Sequence, residues 1–374
     1  MSPPAPAGAH LSDGERLAWL RLIRSENIGP VTFRELIRRF GTAGEALTAV
    51  PELAQRGGRR IRIASPAEAE RELAALAGAG ARLIAIGEPE YPEWLAHIDD
   101  APPLIALRGD PACLARPIVS IVGSRNASVA GRKFAMLMAA GLGGRGYVIA
   151  SGLARGIDAA AHEAAVPTGT VAVYAGGLDR LFPPENADLA SRIIASGGAH
   201  VSEMPMGWEP RARDFPRRNR IVAGLALGVV IVEAARQSGS LITARLAAEQ
   251  GRLVFAVPGS PLDPRAAGTN QLIRDGAHIV TEVEDIVSAL SPMLGHAPEP
   301  SRPGAAEGDD DDGEADDADR NRLIEALGPT PIAIDDIIRF TGLRPALVHL
   351  LLVELALAGR IERHPGQRVS VIQG

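Results

Sequence analysis

The chain has 374 residues, 46% of them apolar and 22% charged, which is the make-up of a soluble globular protein of two or three domains. A single cysteine, Cys113, excludes an intramolecular disulfide framework and every Cys-rich zinc pattern, and it fits a reducing, cytoplasmic compartment. The net charge of −6 is uneven: residues 299–319 hold ten acids against Arg302, and without them 38 bases face 35 acids, so the folded part is mildly basic.

In chain order, residues 1–10 read as a disordered lead-in without the basic start and apolar run of a signal peptide. No apolar run reaches the roughly 20 residues of a membrane helix, so no membrane partner is expected. Residues 11–80 read as a helical domain of helix-hairpin-helix or SAM-like type. Helical periodicity breaks at Asn27-Ile28-Gly29-Pro30 and restarts with Phe33, Leu36, Ile37 and Phe40 on one face. The turn amides of such a hairpin can hold a phosphate. Residues 81–116 read as a connecting segment.

From residue 117 to 290, short β-branched runs alternate with longer alanine-rich amphipathic stretches. The runs are Ile118 to Val122, Tyr147 to Ala150, Val171 to Tyr174, His200 to Ser202, Val229 to Val232 and Leu253 to Val257. This pattern predicts an α/β domain with a Rossmann-like, doubly wound, mostly parallel sheet covered on both faces. Ligands of such sheets bind beyond the carboxyl ends of the strands.

The first strand opens into GSRNASVAGRK, a strand–loop–helix phosphate site in outline with Arg125 as a planar cation. It matches neither the dinucleotide nor the triphosphate glycine motif. The second opens into SGLARGIDAAAHEAA, where Gly152 and Gly156 free the backbone and Arg155 is expected to face the same crevice. Asp158 and His162 read as a capping Asp and a surface His rather than a metal or acid–base pair. Residues 211–220 carry five arginines and one Asp. Arg217, Arg218 and Arg220 are expected to face the crevice beside Arg125 and Arg155, at least one arginine pairing with Glu203, Asp214 or Glu233 inside the fold. Ser238, Gly239, Ser240 and Thr243 add short donors at a helix start. No Ser-His-Asp order, paired carboxylates or metal cluster stands out; donors and arginines converge, which suits a polyanion.

Residues 291–319 read as an acidic, extended, disordered linker. Residues 320–374 read as a winged-helix domain: helices at Arg322 to Leu327, Ile334 to Phe340 and Arg344 to Leu357, then a β-ribbon. The third helix is expected to expose little beyond Arg344, His349 and Glu354, too few polar groups to read bases. Duplex DNA and protein contact through this domain both stay open.

The stretches GSRNAS, SGLARGIDAAAH, GGLDRLFPPEN, SEMP, FPRRNRIVAGLA, VVIVEAARQSGSLITARLAAEQGR, VFAVPG and GTNQLIRDGA, in this order, resemble the DNA-processing protein A (DprA/Smf) family. The resemblance implies a Rossmann-like core that binds single-stranded DNA, forms a homodimer and loads the recombinase RecA during natural transformation, without catalysis or cofactor. It places the basic pocket on Arg125, Arg218, Asn219 and Arg220, with Ser124, Gly152 and Ser240 as backbone or hydroxyl contacts. One departure is Pro184, where many members carry a basic residue; Arg180 or Arg217 is expected to compensate, and Phe182 and Phe215 are the nearest aromatics for base stacking. A rival reading is a nucleoside-monophosphate hydrolase of the lysine-decarboxylase-like class, which shares such a core. Its Pro-Gly-Gly-x-Gly-Thr motif is missing, the nearest text being VPGSPLDPRAAGTN. A third is a duplex-binding regulator acting through the winged helix. His278 to Leu290 is the candidate dimer edge.

Overall fold

The computed structural model describes residues 10–294, 317–364 and 366–372. The chain forms two compact units, residues 1–71 with 301–374 and residues 72–300. In the first, α1 (Asp13–Arg24), α2 (Pro30–Phe40) and α3 (Ala43–Arg56) build the helical hairpin and its support; α4 (Pro66–Gly78) begins in the first unit and ends in the second. Helix α1 opens on a reciprocal cap. Glu15 N donates to Ser12 Oγ at 3.3 Å while Ser12 N donates to the Glu15 carboxylate at 3.0 Å, so two amides without intrahelical partners are satisfied. Pro30 stands at the first position of α2, where a missing N–H costs nothing.

The second unit contains, in order, β1 (Ala81–Ala85), α5 (Glu93–Ala96), β2 (Leu104–Gly109), α6 (Ala112–Ala115), β3 (Ile118–Val122), α7 (Val129–Gly144), β4 (Val148–Ser151), α8 (Ile157–Ala165), β5 (Thr170–Val173) and α9 (Ala187–Ala195). It continues through β6 (Ala199–Ser202), α10 (Asp214–Gly224), β7 (Gly228–Ile231), α11 (Gly239–Glu249), β8 (Leu253–Ala256), α12 (Ala267–Arg274), β9 (His278–Ile279) and α13 (Val283–Leu290). One nine-stranded sheet runs β1-β2-β6-β5-β4-β3-β7-β8-β9, parallel from β6 to β9. Alternate residues of β3 point to opposite layers, as a pleat requires. Ile118 and Val122 pack with Ile221 and Val222 of α10, and Val119 and Ile121 with Ala135, Met138 and Leu142 of α7. Both faces are covered, hence the unbroken apolar runs. From β3 the chain builds outward through β4, β5 and β6, then returns to β7 on the other flank, so a crevice opens between the loops that leave β3 and β7.

Residues 81–116, expected as a connecting segment, instead supply β1 and β2. They pair antiparallel with each other (Ala81↔Arg108) and β2 pairs antiparallel with β6 (Leu107↔Val201). The long irregular stretch between them lacks the amphipathic helix by which the other strands were recognised. The stretch from His278 to Leu290 is not one apolar edge: Ile279 lies on the outermost strand, 53% exposed, while Ile286 and Leu290 are fully buried in the core.

After residues 295–316, which lie outside the described residues together with 1–9 and so take most of the expected linker and lead-in with them, come α14 (Asp317–Ala326), β10 (Ile332–Ala333), α15 (Ile334–Thr341), α16 (Pro345–Leu357), β11 (Ile361–His364) and β12 (Arg368–Val371). The acidic stretch therefore gives way to helix at Asp317, before the expected end of the linker at residue 319. Helix α16 is apolar all round because both its faces are covered. Val348, Leu351, Leu352 and Leu355 pack on Leu323, Ile337 and Val369 of its own domain, and Leu350, Val353 and Leu357 pack among Phe33, Leu36, Val50 and Leu53 of α2 and α3. Of the three polar residues expected to be exposed on α16, only Arg344 is. Glu354 is 1% exposed and accepts from Arg320 at 3.1 Å, and His349 is half-buried 3.7 Å from Glu35. The hairpin turn is engaged as well, since Asn27 Nδ2 donates to the Leu357 carbonyl at 2.8 Å at the end of α16. The Glu35 carboxylate accepts both Nη groups of Arg363, at 3.0 and 2.6 Å.

Candidate nucleic-acid interface

The crevice at the carboxyl ends of β3, β4 and β7 is a cleft of about 520 Å³ whose lining includes Ser124, Arg125, Gly152, Phe215, Arg218, Asn219, Ser238 and Ser240. Six of the nine residues expected there thus meet: Ser124, Arg125, Gly152, Arg218, Asn219 and Ser240. Arg155, Arg217 and Arg220 do not line it.

Close backbone contact sets the shape of the cleft. Ile157 N donates to the Ser124 carbonyl at 3.2 Å, and a Cβ on Gly156 would stand 2.2 Å from that oxygen, so glycine is required where the loops after β3 and β4 meet. Gly152 is constrained in the same way, because an added Cβ would lie 2.4 Å from Nη2 of Arg218. That guanidinium is buried and donates through Nη1 to the carbonyls of Gly152 and Val173, both at 2.5 Å. Burial lowers its pKa to about 10, with Asp158 opposing and Arg125 adding to the shift. Asp158, itself buried, accepts from the amides of Gly152 at 3.1 Å and Ala154 at 3.4 Å. Its carboxyl is pushed up by desolvation and held back by Arg218. Asp158 and Arg218 therefore tie the β4 loop to α10 from beneath.

The remaining cations fall into two groups. Arg220, 5% exposed, donates to the Asp100 carbonyl at 2.7 Å and pairs with the buried Glu203 carboxylate, which also takes Arg217 Nε at 2.9 Å. The expected internal arginine pair is thus present at Glu203. Arg155 pairs with Glu185 on the surface, and Arg180 with Glu209 at 2.8 Å and Asp179 at 3.3 Å. These cations left the rim because carboxylates brought close by the fold, Glu203 from the end of β6 above all, hold them elsewhere. Arg125 is different. It is exposed, lines the cleft, stands 5.3 Å over the Phe215 ring and has no carboxylate partner among the described residues. Phe182, half exposed, packs edge-on to Phe215 at 5.6 Å.

Asn219 accepts from Arg218 Nε at 3.2 Å and donates to the Gly239 carbonyl at 3.4 Å, which places it beside the first turn of α11. There Ser238 Oγ accepts from Ser240 N at 3.3 Å. The start of α7 is met differently: the Glu233 carboxylate accepts from Ser128 N at 2.9 Å and from Ser128 Oγ. Asp158, expected as a capping residue, does accept backbone amides just ahead of its helix, whereas sequence reasoning gave Glu233 no place in this loop scaffold, because it acts on a loop remote from its own position in the chain. His162, expected on the surface, is fully buried and bonded to Thr170 Oγ1 at 2.7 Å. Desolvation first, then the neighbouring His200, lowers its pKa to about 3. A helix face packed on a sheet has no room for a surface imidazole. No cluster of metal-ligating residues occurs among the described residues, and no single helix among them is long and apolar enough to cross a membrane.

Fold and crevice together define an open α/β protein whose switch-point cleft is lined by backbone and hydroxyl donors and an exposed arginine, accompanied by a helix-hairpin-helix and a winged-helix domain. The model of the DNA recombination-mediator protein A family matches residues 82–291, that of a DprA-like N-terminal HHH domain residues 13–75, and that of a DprA winged helix domain residues 303–367. The chain belongs to the DNA recombination-mediator protein A family. It is 39% identical to Protein Smf of Escherichia coli over 283 residues, 75% of each chain, and 45% identical to DNA processing protein DprA of Streptococcus pneumoniae over 202 residues, 53% of this chain and 70% of the relative. Among solved structures, DNA processing protein A of S. pneumoniae superposes with a TM-score of 0.60 at 35% identity, covering 72% of this chain and 95% of that one. DNA processing protein A of Helicobacter pylori, described for its single-stranded DNA binding mode, gives 0.52 at 28% identity over 57% and 96%.

Proposed function

We propose that this protein binds single-stranded DNA in the switch-point cleft, with little sequence preference and without catalysis, and passes the strand to the recombinase RecA during uptake and recombination of DNA in the cytoplasm. The observation that carries the reading is Arg125. Of the five arginines expected in the cleft it alone is both exposed and without a carboxylate partner among the described residues, and it lines the cleft together with Asn219 and the hydroxyl-rich start of α11. Phosphodiesters along a strand are met by such single cations and donors, and each neutralised phosphate releases counterions. Arg218, Ser124, Gly152 and Ser240 shape and line this track; Arg155 and Arg217 extend it only if they leave their carboxylates. A homodimer formed through the β9 edge is part of the same proposal. The relatives named DNA processing protein and the Helicobacter single-strand binding mode support it.

The test is binding of a fluorescent oligothymidine across a salt titration. Wild type should show a steep negative slope, and Arg125→Ala should weaken binding about tenfold and reduce the slope by about 0.7. Equal binding by the two proteins would remove the cleft as the DNA site.

A further inference from the structure

Among the described residues of the second unit, two exposed arginines stand over aromatic rings. One is Arg125, over Phe215 in the cleft. The other is Arg211, outside the cleft on the segment between β6 and α10, with its guanidinium 5.1 Å over the Trp208 ring. Arg211 has no carboxylate partner among the described residues, and neither has the exposed Arg213 two positions on. Glu209, the nearest acid in the chain, is taken by Arg180 at 2.8 Å. The ring beneath Arg211 is fixed. Trp208 Nε1 donates to the buried Asp214 carboxylate at 2.9 Å, and the same oxygen accepts from Arg211 N at 2.8 Å. Gly177 N donates to the Trp208 carbonyl at 3.0 Å, and a Cβ on Gly176 would stand 2.6 Å from that oxygen, so the segment is pressed onto the loop that leaves β5. That loop also carries Phe182, which packs on Phe215. The two guanidinium–aromatic stacks are therefore tied together twice, through the β5 loop and through the adjacent residues Asp214 and Phe215.

We propose that Arg211, positioned by Trp208, is a second phosphodiester contact for a single strand, so that the strand leaves the cleft past Arg125 and crosses the ends of β5 and β6. The proposal rests on the reading that the cleft receives a nucleic-acid backbone, and it fixes the course of the strand beyond the cleft. A guanidinium stacked on a ring is already ordered, while its outward N–H groups stay open to a phosphate. Its free plane also accepts a nucleobase, as aromatic rings do, with little regard to sequence. The opposite course, over the ends of β7 and β8, offers less. There Arg265 is paired with Asp263 at 2.9 Å, and Arg236, although exposed, stands over no ring among the described residues. Arg217 and Arg220, which follow Arg211 in the chain, are spent on Glu203.

The experiment titrates fluorescent oligothymidines of about 4 and about 16 nucleotides into the full-length protein and its variants, each checked for fold by circular dichroism. On the long strand Arg211→Ala should bind about fivefold more weakly and lose about 0.7 from the salt slope, Arg211→Glu should lose more, and Arg236→Ala should match wild type. On the short strand, which the cleft accommodates by itself, Arg211→Ala should match wild type. Trp208→Phe keeps a ring beneath the guanidinium and should stay close to wild type on the long strand. Trp208→Leu should fall to the level of Arg211→Ala, and combining the two should cost nothing more, because the ring acts through the arginine. Equal long-strand binding by wild type and Arg211→Ala would overturn the proposal. So would an equal loss on both lengths, or a loss at Arg236 in place of Arg211. Additive losses in the double variant would overturn the positioning role of Trp208. Failure of wild type to bind either length, or an Arg125→Ala variant that binds like wild type, would instead strike the functional reading and take this proposal with it.

Discussion

Arg218 and Arg220 stand two residues apart on α10, yet they meet opposite surroundings. Arg218 looks toward the cleft and spends its donors on two backbone carbonyls, while Arg220 is turned inward onto Glu203 and Asp100. Arg220→Ala removes the buried guanidinium paired with the buried Glu203 carboxylate, whose other arginine, Arg217, is half-exposed. It should cost about 3 kcal/mol of stability in urea unfolding, while the folded protein keeps its oligothymidine affinity. A tenfold loss of affinity without loss of stability would return Arg220 to the cleft. The buried histidines make a second residue-level prediction. His162 and His200 are neutral in the fold, with pKa values lowered to about 3 and about 4 by desolvation. The unfolded chain protonates them near 6.5, so their contribution to stability is complete above that pH and falls away below it. Between pH 7.5 and 5.5 the two should remove about 3 kcal/mol. Asp158, whose carboxyl pKa is raised by desolvation, acts with the opposite sign. His162→Gln should roughly halve the decline, and an unchanged decline would show the titrating groups to be elsewhere.

At the scale of elements, α16 reverses the ordinary use of a winged helix. The face that such a helix commonly turns to a DNA groove is packed on α2 and α3, and the hairpin turn that could have held a phosphate instead caps the end of α16 through Asn27. The two elements that sequence reasoning left open for duplex contact thus cover each other. The Glu35–Arg363 pair joins α2 to β11, the strand that follows α16, with both side chains largely buried at 11% and 14% exposure. Arg363→Ala should therefore lower stability by about 3 kcal/mol, and the double change with Glu35→Ala should recover part of the loss, a coupling readable in a double-mutant cycle. Strict additivity would mean that the pair contributes nothing to holding α16 in place.

At the scale of the whole molecule, the two ends of the chain fold into one unit and the middle into another. Ending the chain at Leu294 would remove α16 and bare Phe33, Leu36, Val50 and Leu53, a contiguous apolar surface of the kind that drives association. Such a chain should bind the dye ANS and self-associate, yet keep its oligothymidine affinity because the cleft belongs entirely to residues 72–300. Loss of DNA binding on truncation would place the site in the first unit. For the dimer, Ile279→Asp puts a charge on the outermost strand. It should convert a dimer to monomers in sedimentation if the β9 edge is the contact, and a variant that stays dimeric would move the interface elsewhere.

How much was legible in advance follows from the range of each interaction. The six apolar runs from Ile118 onward, the helical hairpin and the three C-terminal helices are set by local periodicity and turn chemistry, and all stand within a few residues of where the pattern puts them. The chain-order motifs likewise marked Arg125, Gly152, Asn219 and Ser240, each of which meets the cleft. Strands β1 and β2 were not legible because they pair antiparallel with each other, and β2 with β6, which leaves no long helical signature between them. Nor was the division of the arginines. Which guanidinium stays free depends on where Glu203, Glu185 and Asp100 arrive in space, and a carboxylate's reach across a fold is not written in its position along the chain. The sequence by itself determined the elements and the residue types around the crevice, because those depend on neighbours within a few positions. Tertiary structure alone decided which charges are spent internally and which face the solvent, because pairing energy depends on distance and burial rather than on order.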